Sequence, residues 1–480
     1  MKLTYVILCL LFSLSVHAQS FVVRDIKSFG ARGDGRTNDH AAFQKAAEFF
    51  NKRKGNGKLI ISKGNYLVGR QTFVKNPTGA RSVYEGQHLL DFWNLTNFTL
   101  QGTTQSVITY IRGLRYGAFD PQTGKPYEHG NNYFVNGLYA AYVGNAVQFN
   151  ESSNITITQL ELNGSNQSLI YGGVYGDKGR QLQHIGICLI KTRLVNITNV
   201  KAHHFGMDGI IIANVPHPDG REDSITISRS AFEYNGRQGM SWIGGKGLTV
   251  KDCKFNFTGR GKTMSPPGAG VDIEAESGPI TGGRFLRCEF VDNIGCSLLA
   301  DAGDSRNCTF DSCTFWGVDA WSIWVHKPAF TFRDCRIYGS IIHGYNAPTN
   351  EEATRFIRCV FEDRPLDGRG PYGNFLIESN YMRRVRFENC TMIAHRKKWC
   401  WLMQDPKWSA EERYQLVNCR FIMTGAVLPQ NDFSAVIRGI RYRNTTFEYQ
   451  SPEARKKNYY LNECCDIHNI DEGGNRILFK

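Results

Sequence analysis

Apolar residues along most of this chain recur in short alternating runs, set on either side of a polar break that carries a cysteine seven times. Cys253, Cys288, Cys313, Cys335, Cys359, Cys390 and Cys419 each follow an apolar residue three positions back: Val250, Phe285, Phe310, Phe332, Phe356, Phe387 and Leu416. Each precedes another two positions on: Phe255, Phe290, Phe315, Ile337, Phe361, Met392 and Phe421. The intervals run from 22 to 35 residues, the scale of a stacked repeat. An apolar period of two around a short polar step predicts strand, bend, strand. One such unit cannot bury its apolar face alone, so the pattern predicts a solenoid whose coils share a continuous core.

The residue ahead of each cysteine is Asp252, Arg287, Ser312, Asp334, Arg358, Asn389 or Asn418. Mostly short and polar, these suit a bend where side chains bond nearby backbone. Earlier coils repeat the pattern without cysteine, at Ile155 to Thr158, Leu194 to Thr198 and Ile225 to Ser228. Roughly ten turns between about residues 145 and 450 follow. Consecutive parallel strands connect with a right hand, so the expected fold is all-β, a single-stranded right-handed parallel β-helix. The competing leucine-rich horseshoe lacks its Leu-rich signature.

Side chains alternate across a strand, so inward apolar positions identify outward neighbours. With Val271 and Ile273 inward, Asp272 and Glu274 face out. In the next coil Cys296, Leu298 and Ala300 are expected inward, and Ser297, Leu299 and Asp301 outward. Ile323 and Val325 then turn Ser322, Trp324 and His326 out. Phe375 and Ile377 leave Glu378 outward; Met240 and Trp242 leave Ser241 outward. Asp208 opens an earlier copy, through Ile212. Asp272, Glu274, Asp301, Trp324 and His326 thus form a predicted ladder on one exposed sheet. His203 and His204, adjacent on a strand, are expected on opposite faces.

The N-terminal stretch adds a cap. Asn38 is placed to cap a helix with Asp39 in its first turn. Ala42, Phe43, Ala46, Ala47 and Phe50 supply its apolar stripe, and Gly55-Asn-Gly57 ends it. Phe29 to Ala46 together with Gly57 to Gly69 resembles the opening segment of the pectin lyase-like β-helix superfamily, which includes pectate lyases and polygalacturonases. That resemblance implies a short capping α-helix on a β-helix that binds a glycan along its side. The scaffold carries hydrolases, lyases, epimerases and phage adhesins, so it does not name the reaction. Arg32-Gly33-Asp34 belongs to the cap turn.

Residues 1–18 carry the pattern of a secretory signal: Lys2, an apolar run from Tyr5 to Leu14, and Val16-His17-Ala18 as a cleavage site. The expected segments are therefore signal 1–18, cap 19–70, β-helix 71–450 and a C-terminal tail or cap over 451–480. No later segment reads as a membrane span, which predicts a soluble exported protein, secreted or periplasmic. The formal charge of +13, or +12 without Lys2, suits an anionic partner such as an acidic polysaccharide or oligosaccharide. Nucleic acid does not fit that compartment. Cysteines in register would lie side by side about 4.8 Å apart, pointing the same way, which predicts buried thiols in place of a disulfide framework. Cys464-Cys465 is not zinc-ligand spacing, and a bridge from either one elsewhere near the C-terminus is the alternative for that pair.

The outward acids carry the chemistry. Asp272, Glu274 and Asp301, with Asp208 as a further candidate, are the predicted catalytic carboxylates of a glycoside hydrolase. Like charges at such spacing raise one pKa and leave a proton donor beside an ionised base. Trp324, His326, Lys327 and Glu378 are the predicted substrate contacts. Phe205 to Ile210, which holds Asp208, resembles the Asp-Gly step of polygalacturonases, but their Asn-Thr-Asp, paired Asp, Gly-His-Gly and Arg-Ile-Lys set is not present. Asp272 and Glu274 resemble the paired acids of iota-carrageenases. The calcium-dependent lyases of the superfamily imply a rival in which Lys327 abstracts the proton and the three acids hold calcium. The hydrolase itself needs no cofactor. A noncatalytic glycan-binding β-helix is the third reading. Tyr110 to Tyr142, residues 164–184 and Glu362 to Tyr372 interrupt the coils and are expected as binding walls.

Overall fold

All seven residues ahead of the cysteines adopt the left-handed backbone conformation, with φ between 52° and 57° in the computed structural model. That conformation is uncommon for side chains other than glycine, and here it turns the chain sharply between two strands. The turned backbone points each cysteine inward. Cys335 Sγ donates to the carbonyl of Phe310 in the preceding coil at 3.3 Å, and Cys390 and Cys419 do likewise to Phe356 and Phe387, both at 3.3 Å. The same bend recurs beyond the cysteines at Asn199, Arg229 and Asn444. At the inward position there, Ser230 and Thr445 bond the carbonyl two residues back, at 2.9 and 3.1 Å. Cysteine is one of several small donors that fill this position.

The structure describes residues 20–134, 136–176, 179–373, 376–378, 381–395, 402–403, 407–424, 437–450 and 468–480. The bends join stacked parallel strands into three long faces. The strand before each cysteine lies on the first face and the strand after it on the second; the third face runs from Leu90–Trp93 to Ile341–His343. On the first face Phe285, Phe310, Phe332, Phe356 and Phe387 stand in register. Their rings stack 4.7 to 5.1 Å apart with planes within 14°. The core is therefore a set of ladders along the axis, in which each coil supplies the same side chain to the next.

The helix His40–Lys52 closes the N-terminal end. Phe43 packs edge-on against Tyr66 at 5.6 Å and Phe50 against Phe98 at 4.8 Å. The predicted capping roles shift. Asn38 Oδ1 accepts from His40 N–H at 3.1 Å, while Asp39 precedes the helix without capping it. Asp39 instead accepts from the Arg32 and Gly33 amides at 2.8 and 2.9 Å, which ties down the glycine-rich turn. At the other end the strands Ile470–Asp471 and Arg476–Phe479 add to the first and second faces. Paired strands therefore recur within 451–480, the stretch expected as a C-terminal tail or cap. The signal segment, residues 451–467 and the pair Cys464-Cys465 lie outside the described residues. Among the described residues ten cysteines are free and buried, including all seven of the column, and no helix is long and apolar enough to cross a membrane.

Candidate active site

Along the outer side of the third face, paired residues form a column that reads Gln148, Cys188, Ile211, Ser241, Asp272, Leu299, Trp324. The carboxylate of Asp272 in the middle of this column is flanked by apolar patches. Cys188 and Ile211 belong to an apolar patch on one side, and Leu299 to another with Ala269, Cys296, Trp321 and Trp324. Cys296 is thus on the outside, against expectation. It lies in the turn before the strand that starts at Leu298, and period-two alternation does not carry through a turn. Trp242, Ile273, Leu298 and Ala300 fill the core as expected.

Asp272 faces outward but is not exposed: 3% of its surface is open. Gln238 Nε2 donates to Oδ2 at 2.6 Å, and the same amide accepts from Ala269 N–H at 3.1 Å, which orients it. Oδ1 is buried with no hydrogen-bond partner. Burial, and then the negative field of Glu274, push the Asp272 pKa well above the carboxylate range; Asp301 and Asp208 add to it and Arg237 opposes it. Glu274 and Asp301 are half-buried. They lie on adjacent coils, between the pairings of Asp272 with Leu299 and Ala275 with Gly303, and both act on Asp272. The three acids are one electrostatic cluster.

Asp208 has a different setting. It is fully buried, and Arg237 grips both its oxygens at 2.8 and 2.5 Å. Ser241 donates to Oδ2 at 2.8 Å. Asp208 was expected among the reacting acids; here its carboxylate is closed off and holds Arg237 beside Asp272.

Aromatic rings line the C-terminal side of the acids. Trp324 is half-buried, with its ring 5.7 Å from Trp321 and 5.7 Å from His343. His326 is exposed and lies 5.5 Å from His343. Partial burial and the neighbouring Lys327 ammonium lower its pKa. Tyr372 meets Trp321 edge-on at 5.0 Å, so the predicted wall from Glu362 to Tyr372 does border the site. Asp292 fastens that wall, accepting from Arg260 and from Arg369, each at 2.6 Å. Residues 110–142 and 164–184 contribute to a side sheet with Gln71–Phe73 and Tyr84–Gly86.

Of the other two expected contacts, Lys327 lies beside the acids and Glu378 away from them. Lys327 Nζ donates to the Gly303 carbonyl at 2.6 Å. Glu378 follows Ile377, which pairs with Ile341, so it lies four coils or about 19 Å from Asp272. Phe375 is outside the described residues. His203 and His204 do not diverge: His204 has φ 56°, and the two Nδ1 atoms approach to 2.7 Å. Sequence reasoning missed Gln238, Arg237, Trp321 and His343; the first two lie in the turn and strand start one coil before Asp272. Among the described residues no group of three or more His, Cys, Asp and Glu is placed to hold a metal.

The family model of the right-handed β-helix region matches residues 93–281 and 145–328. An exopolygalacturonase of Arabidopsis thaliana is 25% identical over 319 residues, covering 60% of this chain and 65% of that protein. The match thus spans just under two thirds of the curated relative. Among solved structures, the N-terminal fragment of bacteriophage phi29 gene product 12 aligns with a TM-score of 0.50 at 12% identity, over 94% of this chain and 70% of that one. The A-module of an Azotobacter vinelandii mannuronan C-5 epimerase aligns with a TM-score of 0.45 at 13% identity, over 95% and 97%. At these identities the solved structures speak to fold alone. Stacked parallel strands on three faces, a helical N-terminal cap and the matched family model together place this chain in the pectin lyase-like right-handed β-helix superfamily.

Proposed function

We propose that this protein is an exported polysaccharide-degrading enzyme, a glycoside hydrolase that cleaves an acidic glycan with Asp272 as proton donor. The observation that carries this reading is the state of Asp272: buried, held by one amide, and pushed toward the neutral acid by Glu274 and Asp301. A carboxyl kept protonated beside carboxylates is the arrangement that general acid catalysis at a glycosidic oxygen requires. Glu274 directly follows the strand Val271–Ile273 that holds Asp272, and two residues of extended chain span about 6.5–7 Å. Backbone spacing of that order can set two carboxyl groups about 6.5–9.5 Å apart, which leaves room for an attacking water, so in this reading Glu274, assisted by Asp301, is the base of an inverting reaction. Trp324 offers its ring face to a sugar. The net charge of +13 favours encounter with a polyanion. The similarity to an exopolygalacturonase supports the substrate class.

The test is turnover of polygalacturonate, alginate and carrageenan, followed by reducing ends and by absorbance of a new double bond. Reducing ends without the double bond, and a fall in kcat of at least roughly 100-fold in Glu274→Gln and in Asp272→Asn, are expected. Asp301→Asn should fall comparably. A new double bond whose formation needs calcium and is lost in Lys327→Ala would assign β-elimination instead. Binding with no turnover, indifferent to the acids, would leave a noncatalytic glycan-binding protein.

A further inference from the structure

We propose that the protein has a second saccharide-binding site, in the corner between the capping helix and the first strand of the third face. A cavity of about 700 Å³ opens there, within the range of small-molecule sites. Gln44, Glu48 and Asn51 of the helix form one wall; Arg70, Gln87 and His88 form another; Asp91 and Trp93 form the floor. Trp93 is 47% exposed, so part of its indole is open to the cavity.

The floor is rigid. Asn51 Oδ1 accepts from Trp93 N–H at 3.0 Å while its Nδ2 donates to the Asp91 carbonyl at 2.9 Å. Asp91 Oδ1 accepts from Gln148 and Asn150 amides at 3.1 and 3.2 Å. His88 Nδ1 accepts from Asn145 N–H at 3.0 Å, and burial lowers its pKa, so the ring is neutral. Planar amides, a carboxylate and a neutral imidazole beside an open indole face match the mixed surface of a pyranose, whose hydroxyls need donors and acceptors together and whose ring face is apolar. With Arg70 offset by Glu48 and Asp91, hydroxyls and ring face dominate recognition over charge.

The pocket is separate from the acids. Five coils, about 24 Å, lie between Trp93 and Glu274, and the patch of Cys188, Ile190, Ile211 and Ala213 fills the interval. A short oligosaccharide reaches one site only, whereas a polymer lying along the axis reaches both. That the polymer held here is also the one cleaved rests on the proposed function; saccharide binding by the pocket does not.

Native electrophoresis of the full chain through gels containing polygalacturonate, alginate, carrageenan or xyloglucan tests this. The wild-type protein and Glu274→Gln should be retarded in at least one gel. Trp93→Ala and Asp91→Ala, shown folded by circular dichroism, should weaken that retardation at least ~10-fold in apparent Kd, with kcat on short oligosaccharides unchanged. Retardation equal to wild type in both variants, or no retardation of the wild type in any gel, would overturn the proposal. Absent turnover with the expected retardation pattern would count against the hydrolase and leave this site standing.

Discussion

At Asp272 the proposed proton donor comes with a pH-dependent loss of stability. An aspartate in the unfolded chain ionises near pH 3.9, whereas folding pushes Asp272 well above that. The native state therefore binds the proton more tightly. The contribution is fully present below the unfolded pKa and is lost as pH rises toward the folded one. Asp272→Asn removes this dependence while keeping an acceptor for Gln238. Urea unfolding should find the variant and wild type equal below about pH 3.9, with the variant gaining about 1.4 kcal/mol per pH unit above it until the native carboxyl ionises. A constant difference across that range would mean that Asp272 titrates normally. Under the proposed role the same acid sets the alkaline limb of activity. Gln238→Ala removes a donor that favours the ionised form, so that limb should move to higher pH as kcat falls. An unmoved limb would take Asp272 out of the proton-donor role.

The strand and bend elements show how far pattern reading reaches. The cysteine column was legible because one inward donor recurs at each left-handed bend, and a period of two fixes which side of a sheet a residue occupies. That logic placed Asp272, Glu274 and Trp324 on one outer face. It did not show that Asp272 is covered, since alternation gives the side of a sheet and says nothing of what packs there. It failed at Cys296 and at His203-His204, where a turn and a left-handed residue break the alternation. Gln238, Arg237 and the rings of Trp321 and Tyr372 came to the site through coil stacking and loop closure, which join residues far apart in the chain. The column itself is testable. Burial pushes Cys253 and Cys308 up to about 12, so the native protein should resist thiol reagents, and unfolding without reductant should release at least the ten described thiols. Release of three or fewer would contradict the free column. Cys335→Ser should be mild, since Ser230 fills the equivalent place with its hydroxyl bonded. Cys335→Leu should cost about 1–3 kcal/mol by overpacking, read from urea midpoints.

On the scale of the whole molecule, a solenoid lets stability and function separate along the axis. Each coil contacts its neighbours, so stability is close to a sum of coil and interface terms, and damage at an end need not reach the middle. The capping helix rests on the first coils through Phe43 and Phe50, while the acid cluster lies five coils inward. Phe50→Ala removes a ring with no exposed surface, a loss on the order of 3–5 kcal/mol for such a site. Hydrogen exchange should then quicken over Val22 to Ile108, where the helix and first coils pair, while protection around Val271 to Ala300 persists. Turnover at low temperature should stay near wild type, and binding at the Trp93 pocket should weaken because the helix forms one of its walls. Phe310→Ala is the contrasting case. Its ring stacks on Phe285 and Phe332 in the coils next to the acids, so it should lower protection and turnover together. If Phe50→Ala instead collapsed protection evenly along the chain, the coils would fold as one cooperative unit, and the capping helix would hold the catalytic face as firmly as it holds its own end.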